Sequence, residues 1–454
     1  MKTKITLFIL ISMSLNGFSQ FGTQQIISTN VNEATSIYCA DIDGDGDLDI
    51  LSTSWFYDEV SWFENTDGQG TFSNKQTITS NADGADCVRA FDIDGDGDMD
   101  VLSSSYYDNK IAWYKNTDGQ GTFGVQQVIS TDLIYGSSVY AADIDGDGDL
   151  DVLSASIDDN KIAWYENTDG LGNFGNQQII ANPTQPNCVI AADLDGDGDN
   201  DILFDAASGN NIAWCENTDG LGTFATQQII SNDVIQPSSV YATDIDGDGD
   251  LDVISSSIQD NKIAWYENTD GLGSFGSQQI ISTNANQARY VATADFDNDG
   301  DIDIVSASWN DDKIAWYENT DGLGNFGFQQ IISTNADGAS CVYVGDFNGD
   351  NKVDIVSSSY YDNKVAWYEN TMVLGINENS LISFKLFPNP VKNFLEITTS
   401  NDVSKIEIFN SLGQKILIKL NSQIIDVSNI YEGIYFIKIT TLNGNILTRK
   451  FIKE

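Results

Sequence analysis

Seven copies of one acidic nonapeptide recur along this chain at intervals of 51, 51, 50, 51, 51 and 51 residues, beginning at Asp41, Asp92, Asp143, Asp193, Asp244, Asp295 and Asp346. A fixed period of this length marks a solenoid or a propeller, in which one supersecondary unit is repeated so that neighbours bury a shared core. The first copy reads DIDGDGDLD. Six copies carry five carboxylates and the last carries three, so 33 of the 68 Asp and Glu residues lie in these loops. Like charges about 4 Å apart repel by roughly 1 kcal/mol in water and roughly 4 kcal/mol at an effective dielectric of 20, so such loops call for a cation.

Each unit reads as four strands. In the third unit they are SSVYAADID (137–145), DVLSAS (151–156), KIAWYEN (161–167) and FGNQQII (174–180). The runs are β-branched and aromatic, lack a 3.6-residue period, and are separated by IDDN and TDGLGN clusters suited to hairpins. Four antiparallel strands in seven units describe an all-β, seven-bladed β-propeller. A linear solenoid is the rival. The chain ends argue against it: FGTQQII (21–27) is a fourth strand without its blade, and the last unit stops at VAWYENT (365–371) without a fourth strand. If one completes the other, the ring closes and its open edges disappear.

The net charge is −47 and there is no histidine. A basic surface for nucleic acid is absent, and His-dependent triads and His-ligated metals are excluded. Five cysteines are an odd number, and Cys87, Cys188 and Cys341 share one repeat position in non-adjacent units, so free, buried thiols are expected. Residues 1–19 have the charged start, apolar stretch and small-residue end of a secretory signal, followed by a repeat domain at 20–371, a linker at 372–380 and a second domain at 381–454. The apolar run is too short to span a bilayer, and no transmembrane segment follows it.

The loops follow D-x-D-x-D-G-x-x-D. Oxygen ligands at alternate positions suit Ca²⁺, which takes six to eight of them. The candidate ligands are Asp41, Asp43, Asp45, Asp47 and Asp49 in the first loop. Those of the second and third loops are Asp92, Asp94, Asp96, Asp98 and Asp100, then Asp143, Asp145, Asp147, Asp149 and Asp151. The fourth and fifth offer Asp193, Asp195, Asp197, Asp199 and Asp201, then Asp244, Asp246, Asp248, Asp250 and Asp252. The sixth offers Asp295, Asp297, Asp299, Asp301 and Asp303, and the seventh Asp346, Asn348, Asp350, Lys352 and Asp354. The seventh position is expected to use its backbone carbonyl, with its side chain turned outward. About seven Ca²⁺ sites follow, the last of them weakest because of Asn348, Asn351 and Lys352. An EF-hand is disfavoured: position twelve is Ser or Phe rather than Glu, and the flanks are strands. Solvated acidic turns without metal are the plainer alternative.

These units resemble FG-GAP or VCBS repeats, the blades of integrin α-subunit heads and of many bacterial surface proteins. The resemblance covers residues 21–371 and implies calcium loops on a lower face. It also implies ligand contact on the upper face, at the second-to-third hairpins and the fourth-to-first connectors.

One position on those hairpins is not uniform. It holds Trp55, Tyr106, Ile157, Ala207, Ile258, Trp309 and Tyr360, so its aromatic members fall in blades one, two, six and seven, which become consecutive once the ring closes. Phe56, Tyr57, Tyr107 and Tyr361 follow them. An arc of aromatics among Asp and Asn suits a glycan or a protein ligand; tyrosine-rich turns packing locally are the alternative. The tryptophans of the third strands (Trp62, Trp113, Trp164, Trp214, Trp265, Trp316 and Trp367) read instead as blade-to-blade filler. In blade four, Asp205 replaces a small residue, either as an acid or base or as local repacking.

After Thr371 the acidic loops end and residues 381–454 carry nine Lys or Arg against six Asp or Glu. FPNP (387–390), Leu412 and Gly413, Gly433 and Tyr435, and the basic last strand resemble the type A C-terminal sorting domain of the type IX secretion system. The resemblance implies a small β-sandwich, the secretion machinery as a partner, and a destination outside, or on the outer surface of, a Bacteroidota-like Gram-negative cell. The sequence thus reads as an exported calcium-binding propeller acting as an adhesion, glycan-binding or protein-binding module rather than an enzyme. The alternatives are an extracellular polysaccharide lyase or hydrolase on the same scaffold and a structural surface component.

Overall fold

Alternating runs of β-branched residues separated by Asp-Gly turns leave little choice but antiparallel strands, and these form throughout. A computed structural model describes residues 20–372 and 384–454, apart from 400–402, 411–413, 421–423 and 442–445. The expected leader, the linker beyond Met372, and Leu412 and Gly413 lie outside the described residues. The third repeat folds as Gly136–Ala142, Asp151–Ser156, Lys161–Tyr165 and Gln178–Ala181, hydrogen-bonded in that order. Five further repeats form equivalent four-stranded sheets, and the described residues contain no helix.

The seventh sheet is built from both ends of the ring. Gln25–Ser28 pairs with Lys364–Tyr368 beside Asp354–Ser359 and Ala339–Gly345. Gln25 faces Trp367 and Ile26 faces Ala366. Phe21 bridges Asn370, and the Gly22 amide donates to Glu369 O at 2.7 Å. The chain is a closed seven-bladed β-propeller. Fourth strands begin later than the apolar pattern suggests. In blade three the pairing resumes only at Gln178, and Phe174 makes an isolated bridge to Asn167. A register shift accompanies this edge strand, whose residues stay largely exposed.

A polar belt joins the first strands. In five blades the residue six positions before the acidic loop donates its side chain to a backbone carbonyl of the next blade. The pairs are Thr35 to Ala85 at 3.0 Å, Ser137 to Pro186 at 3.0 Å, Asn187 to Pro237 at 3.1 Å, Ser238 to Ala288 at 2.9 Å and, across the seam, Ser340 to Ala34 at 2.7 Å. The third-strand tryptophans are 2–4% exposed and wedge between blades. A Cβ added to Gly172 of blade three would lie 2.2 Å from the Trp113 ring of blade two, and Gly172 also has φ 79°, so only glycine fits there. Removing such a wedge (Trp to Ala) costs roughly 3–5 kcal/mol. All five cysteines are buried and free.

The chain divides into two units at Met372/Val373. The second is a β-sandwich. One sheet holds Phe384–Phe387, Phe394–Thr399 and Ile424–Asp426; the other holds Lys415–Leu420, Val403–Asn410, Gly433–Thr441 and Ile446–Lys453. Val391, Leu395, Ile406, Ile437 and Phe451 are among its core residues. Tyr435 packs there too and donates its hydroxyl to Tyr431 O at 2.9 Å.

Candidate functional site

The acidic loops are shaped first by their own backbone amides. Asp41 accepts from Gly44, Asp45 and Gly46 at 2.8, 3.1 and 3.0 Å. Asp92, Asp143, Asp193, Asp244, Asp295 and Asp346 accept similarly from their own loops. The fifth position (Asp45, Asp96, Asp147, Asp197, Asp248, Asp299 and Asp350) takes the amide of the seventh at 2.9–3.1 Å. The ninth position is buried. One oxygen of Asp49 takes the Ile42 amide at 2.9 Å and the other takes the Asn65 amide at 2.7 Å. Burial pushes Asp49, Asp100, Asp151, Asp201, Asp252 and Asp354 up to about 7, and Asp303 to about 8, against the opposite pull of those amides.

The third position is where partners run out. A carboxylate oxygen of each of Asp43, Asp94, Asp145 and Asp297 is buried with no hydrogen-bond partner among the described residues, as is one of Asp193. In blade one, oxygens of Asp41, Asp43 and Asp49 lie within 4.8 Å of one another. In blades two to five the convergent set is the first, third and fifth positions, for example Asp143, Asp145 and Asp147. A buried acceptor with no donor costs about 1–3 kcal/mol, more if charged. Several converging on one point fit a hard divalent cation.

Two loops depart from this pattern. In blade two, Lys115 stands where the other blades have Glu, and its ammonium pairs with Asp94 and lies 2.9 Å from Asp96. That loop contains its own cation, a feature missed in the sequence because Lys115 lies fifteen residues beyond the motif. In blade seven, Lys352 pairs with Asp350 at 2.7 Å, and Asn348 donates its amide to Asp346 at 3.3 Å and accepts that of Asp350 at 3.1 Å. The seventh-position carboxylates of Asp47, Asp98, Asp149, Asp199, Asp250 and Asp301 turn away from the convergent oxygens and lie against a turn glycine of their own blade, Gly68 in the case of Asp47.

A second residue not singled out in the sequence ties loop to loop. The Asn that follows the third strand donates its amide side chain to the second-position carbonyl of the preceding blade's loop. Asn116 reaches Ile42 O at 2.8 Å, Asn167 reaches Ile93 O at 2.9 Å and, across the seam, Asn65 reaches Phe347 O at 2.9 Å. Its backbone amide meanwhile holds the ninth-position Asp of its own loop. The signal is present, since every third-strand run ends in Asn, but nothing in a strand-end Asn points to a partner in the preceding blade.

The opposite face carries the aromatic arc, because second-to-third hairpins and fourth-to-first connectors both emerge there. Trp55 packs on Tyr106 at 4.9 Å and on Tyr107 at 5.3 Å, and Tyr106 stacks on Tyr135 at 4.1 Å with a 4° interplanar angle. Trp309 packs on Tyr360 at 4.9 Å and on Tyr361 at 5.2 Å. Glu33 lies beside Tyr360, whose hydroxyl pKa is pushed up by burial and by the Glu33 charge. The Glu33 backbone carbonyl accepts the Trp55 amide at 3.1 Å, so Glu33 stands between the two clusters at the seam. Phe56, Tyr57, Tyr107 and Tyr361 are 63, 46, 55 and 60% exposed, whereas Trp55, Tyr106, Trp309 and Tyr360 are half-buried. Tyr135 was missed because it lies in a variable connector.

Residues 41–103, 92–154, 146–204, 206–255, 252–306 and 295–357 match the FG-GAP-like repeat. The chain belongs to the FG-GAP-like repeat family. Residues 385–454 of this FG-GAP-like protein match a secretion system C-terminal sorting domain, which directs it through the type IX route to the cell surface or beyond, as is typical of Bacteroidota. No curated protein matches the chain. Among solved structures, a lectin of Agrocybe aegerita that recognises non-reducing terminal N-acetylglucosamine is 19% identical, with a TM-score of 0.51 over 73% of this chain and 86% of the lectin. BBS1N, solved in complex with ARL6DN, is 10% identical, with a TM-score of 0.54 over 79% of this chain and 99% of that one. These two share the fold. No described helix of the FG-GAP-like protein is long and apolar enough to cross a membrane.

Asp205 has a structural task in this FG-GAP-like ring. It is fully buried, and its carboxylate accepts the Asn187 and Cys188 amides at 2.8 and 2.7 Å and the Asn187 side chain at 3.2 Å. The first strand of blade four is only Val189–Ala192, so the side chain supplies the partners that the missing strand residues would have supplied. Burial pushes this carboxyl up to about 7.

Proposed function

We propose that the protein is an exported binding module, a calcium-loaded propeller that presents its aromatic arc to a glycan or a protein outside the cell. The arc carries this reading: aromatic side chains from blades six, seven, one and two meet on one face, partly exposed, with Asp and Asn beside them. Rigid, half-exposed Trp and Tyr are the side chains that most often anchor ligands. The lectin of similar fold makes an amino sugar the first ligand to try.

In this reading the first, third, fifth and ninth positions of the loops would hold Ca²⁺, with the seventh contributing a backbone carbonyl. The ion would neutralise the converging carboxylates and so stiffen the lower face, which fixes the hairpins above it. Of about seven sites, those of blades two and seven should be weakest, because a lysine already pairs with loop carboxylates there. Calorimetry with Ca²⁺, followed by a glycan array run with and without the ion, tests both halves. The Trp55→Ala/Tyr360→Ala double variant should lose ligand binding without lowering stability by much; unchanged binding would reject the arc.

A further inference from the structure

Five blades use the residue six positions before the acidic loop to stitch first strands together. The remaining two carry Asp86 and Arg289 at that position. Among the described residues neither side chain sends a hydrogen bond to the next blade, so both give up the belt bond. They belong to blades two and six, three steps apart around a ring of seven, and therefore stand on nearly opposite sides of the axis. Between them is a cavity of about 150 Å³ lined by residues from all seven blades.

Neither side chain has a hydrogen bond or a contact ion pair among the described residues; across the cavity each feels the other's opposite charge. The Arg289 Nε is buried without an acceptor, and its guanidinium lies 4.7 Å from the centre of the Trp309 ring. Arg89 also lines the cavity, but its partners are in place: it donates to Val88 O and to the Tyr290 hydroxyl, each at 2.9 Å. Two guanidinium groups and one carboxylate make the cavity positive inside a chain of net charge −47. Packing does not need this arrangement, since serine at the same position makes the belt bond in three other blades.

We propose that the axial cavity binds a compact carboxylate-bearing sugar of the uronic acid class, its carboxylate on Arg289 and its hydroxyls on Asp86. A guanidinium with free N–H groups matches a planar carboxylate in two parallel bonds. A cavity of this volume holds about one six-membered ring, and the Ser137, Ser238 and Ser340 hydroxyls line it beside the two charged groups. An amino acid would also offer a carboxylate, but its ammonium needs an ionised partner. Burial pushes Asp86 up to about 7 against the pull of the Arg289 charge, so near neutral pH its carboxyl is only partly ionised and is a poor partner for an ammonium. The proposal rests on the glycan-binding reading for its ligand class alone, because its residues are separate from the pair tested there.

The experiment is calorimetry on the full chain in Ca²⁺ with D-glucuronate, D-glucose, acetate and L-alanine as probes. Glucuronate should bind at least about tenfold more tightly than the other three. The Asp86→Ser/Arg289→Ser double variant should lose about tenfold or more in glucuronate affinity. It should also melt no lower than the native chain, because serine restores the belt. The Trp55→Ala/Tyr360→Ala variant should keep glucuronate affinity within about twofold, which separates this site from the arc. The proposal falls if glucuronate gives no binding, if acetate or alanine binds as well, or if the Asp86/Arg289 variant keeps full affinity. It also falls if that variant melts clearly lower, which would make the charges structural, or if the arc variant abolishes glucuronate binding.

Discussion

The asparagine stitch makes a quantitative claim about what holds the blades in a ring. Asn167 is fully buried; its side chain donates to Ile93 O at 2.9 Å and Leu150 O at 3.3 Å and accepts the Gly172 amide at 3.1 Å. Asn167→Ala keeps the backbone amide on Asp151 but strands the Ile93 carbonyl and the Gly172 amide. Each stranded buried group costs about 1–3 kcal/mol, so the variant should lose about 2–6 kcal/mol, a large part of a domain stability of about 5–15 kcal/mol. Asn65→Ala should cost as much, because it makes the same bond from blade one to Phe347 O across the seam. Urea unfolding followed by tryptophan fluorescence and by circular dichroism measures both, and coincident transitions confirm a single cooperative unit. The exposed neighbour Asn173, changed to Ala, serves as control and should stay within about 0.5 kcal/mol. A loss below about 1 kcal/mol for Asn167→Ala would refute the stitch. A seam variant far milder than the interior one would mean that the ring opens there in solution.

Three further outcomes are expected. Lys115→Glu restores the residue found in the other blades and should raise the calcium affinity of one site about tenfold or more in calorimetry; an unchanged isotherm would show that Lys115 does not occupy the loop. Asp205→Asn should flatten part of the pH dependence. A carboxyl raised from about 3.9 to about 7 on folding stabilises the fold below its unfolded pKa, and that contribution is lost as pH rises through about 7. Because its new amide NH2 faces the Asn187 side-chain donor, the variant should melt below the native chain near pH 4, and the gap should narrow as pH rises to 8. A gap unchanged between the two pH values would contradict this. Deleting residues 381–454 should leave the propeller in the periplasm, as cell fractionation would detect; normal surface display would argue against a sorting role for the tail.

The sequence alone determined the repeat, the blade count and the closure of the ring. Periodicity is local information, and the unpaired strand sequences at both ends had only each other to pair with. It also located every acidic loop, because metal-type spacing is contiguous in the chain. The tertiary structure decided what depends on contacts between blades. Lys115 enters the second loop from the following hairpin strand, the repeated Asn bonds the preceding blade, and Asp205 replaces strand pairing lost by a shortened neighbour. Asp86 and Arg289 are unremarkable in the chain. They stand out only once the ring places them across one axis, where five equivalent residues are spent on hydrogen bonds and these two are not. Short-range pattern shows which strands form, but charges 203 positions apart in the sequence face one another only because closure brings their blades around a common centre.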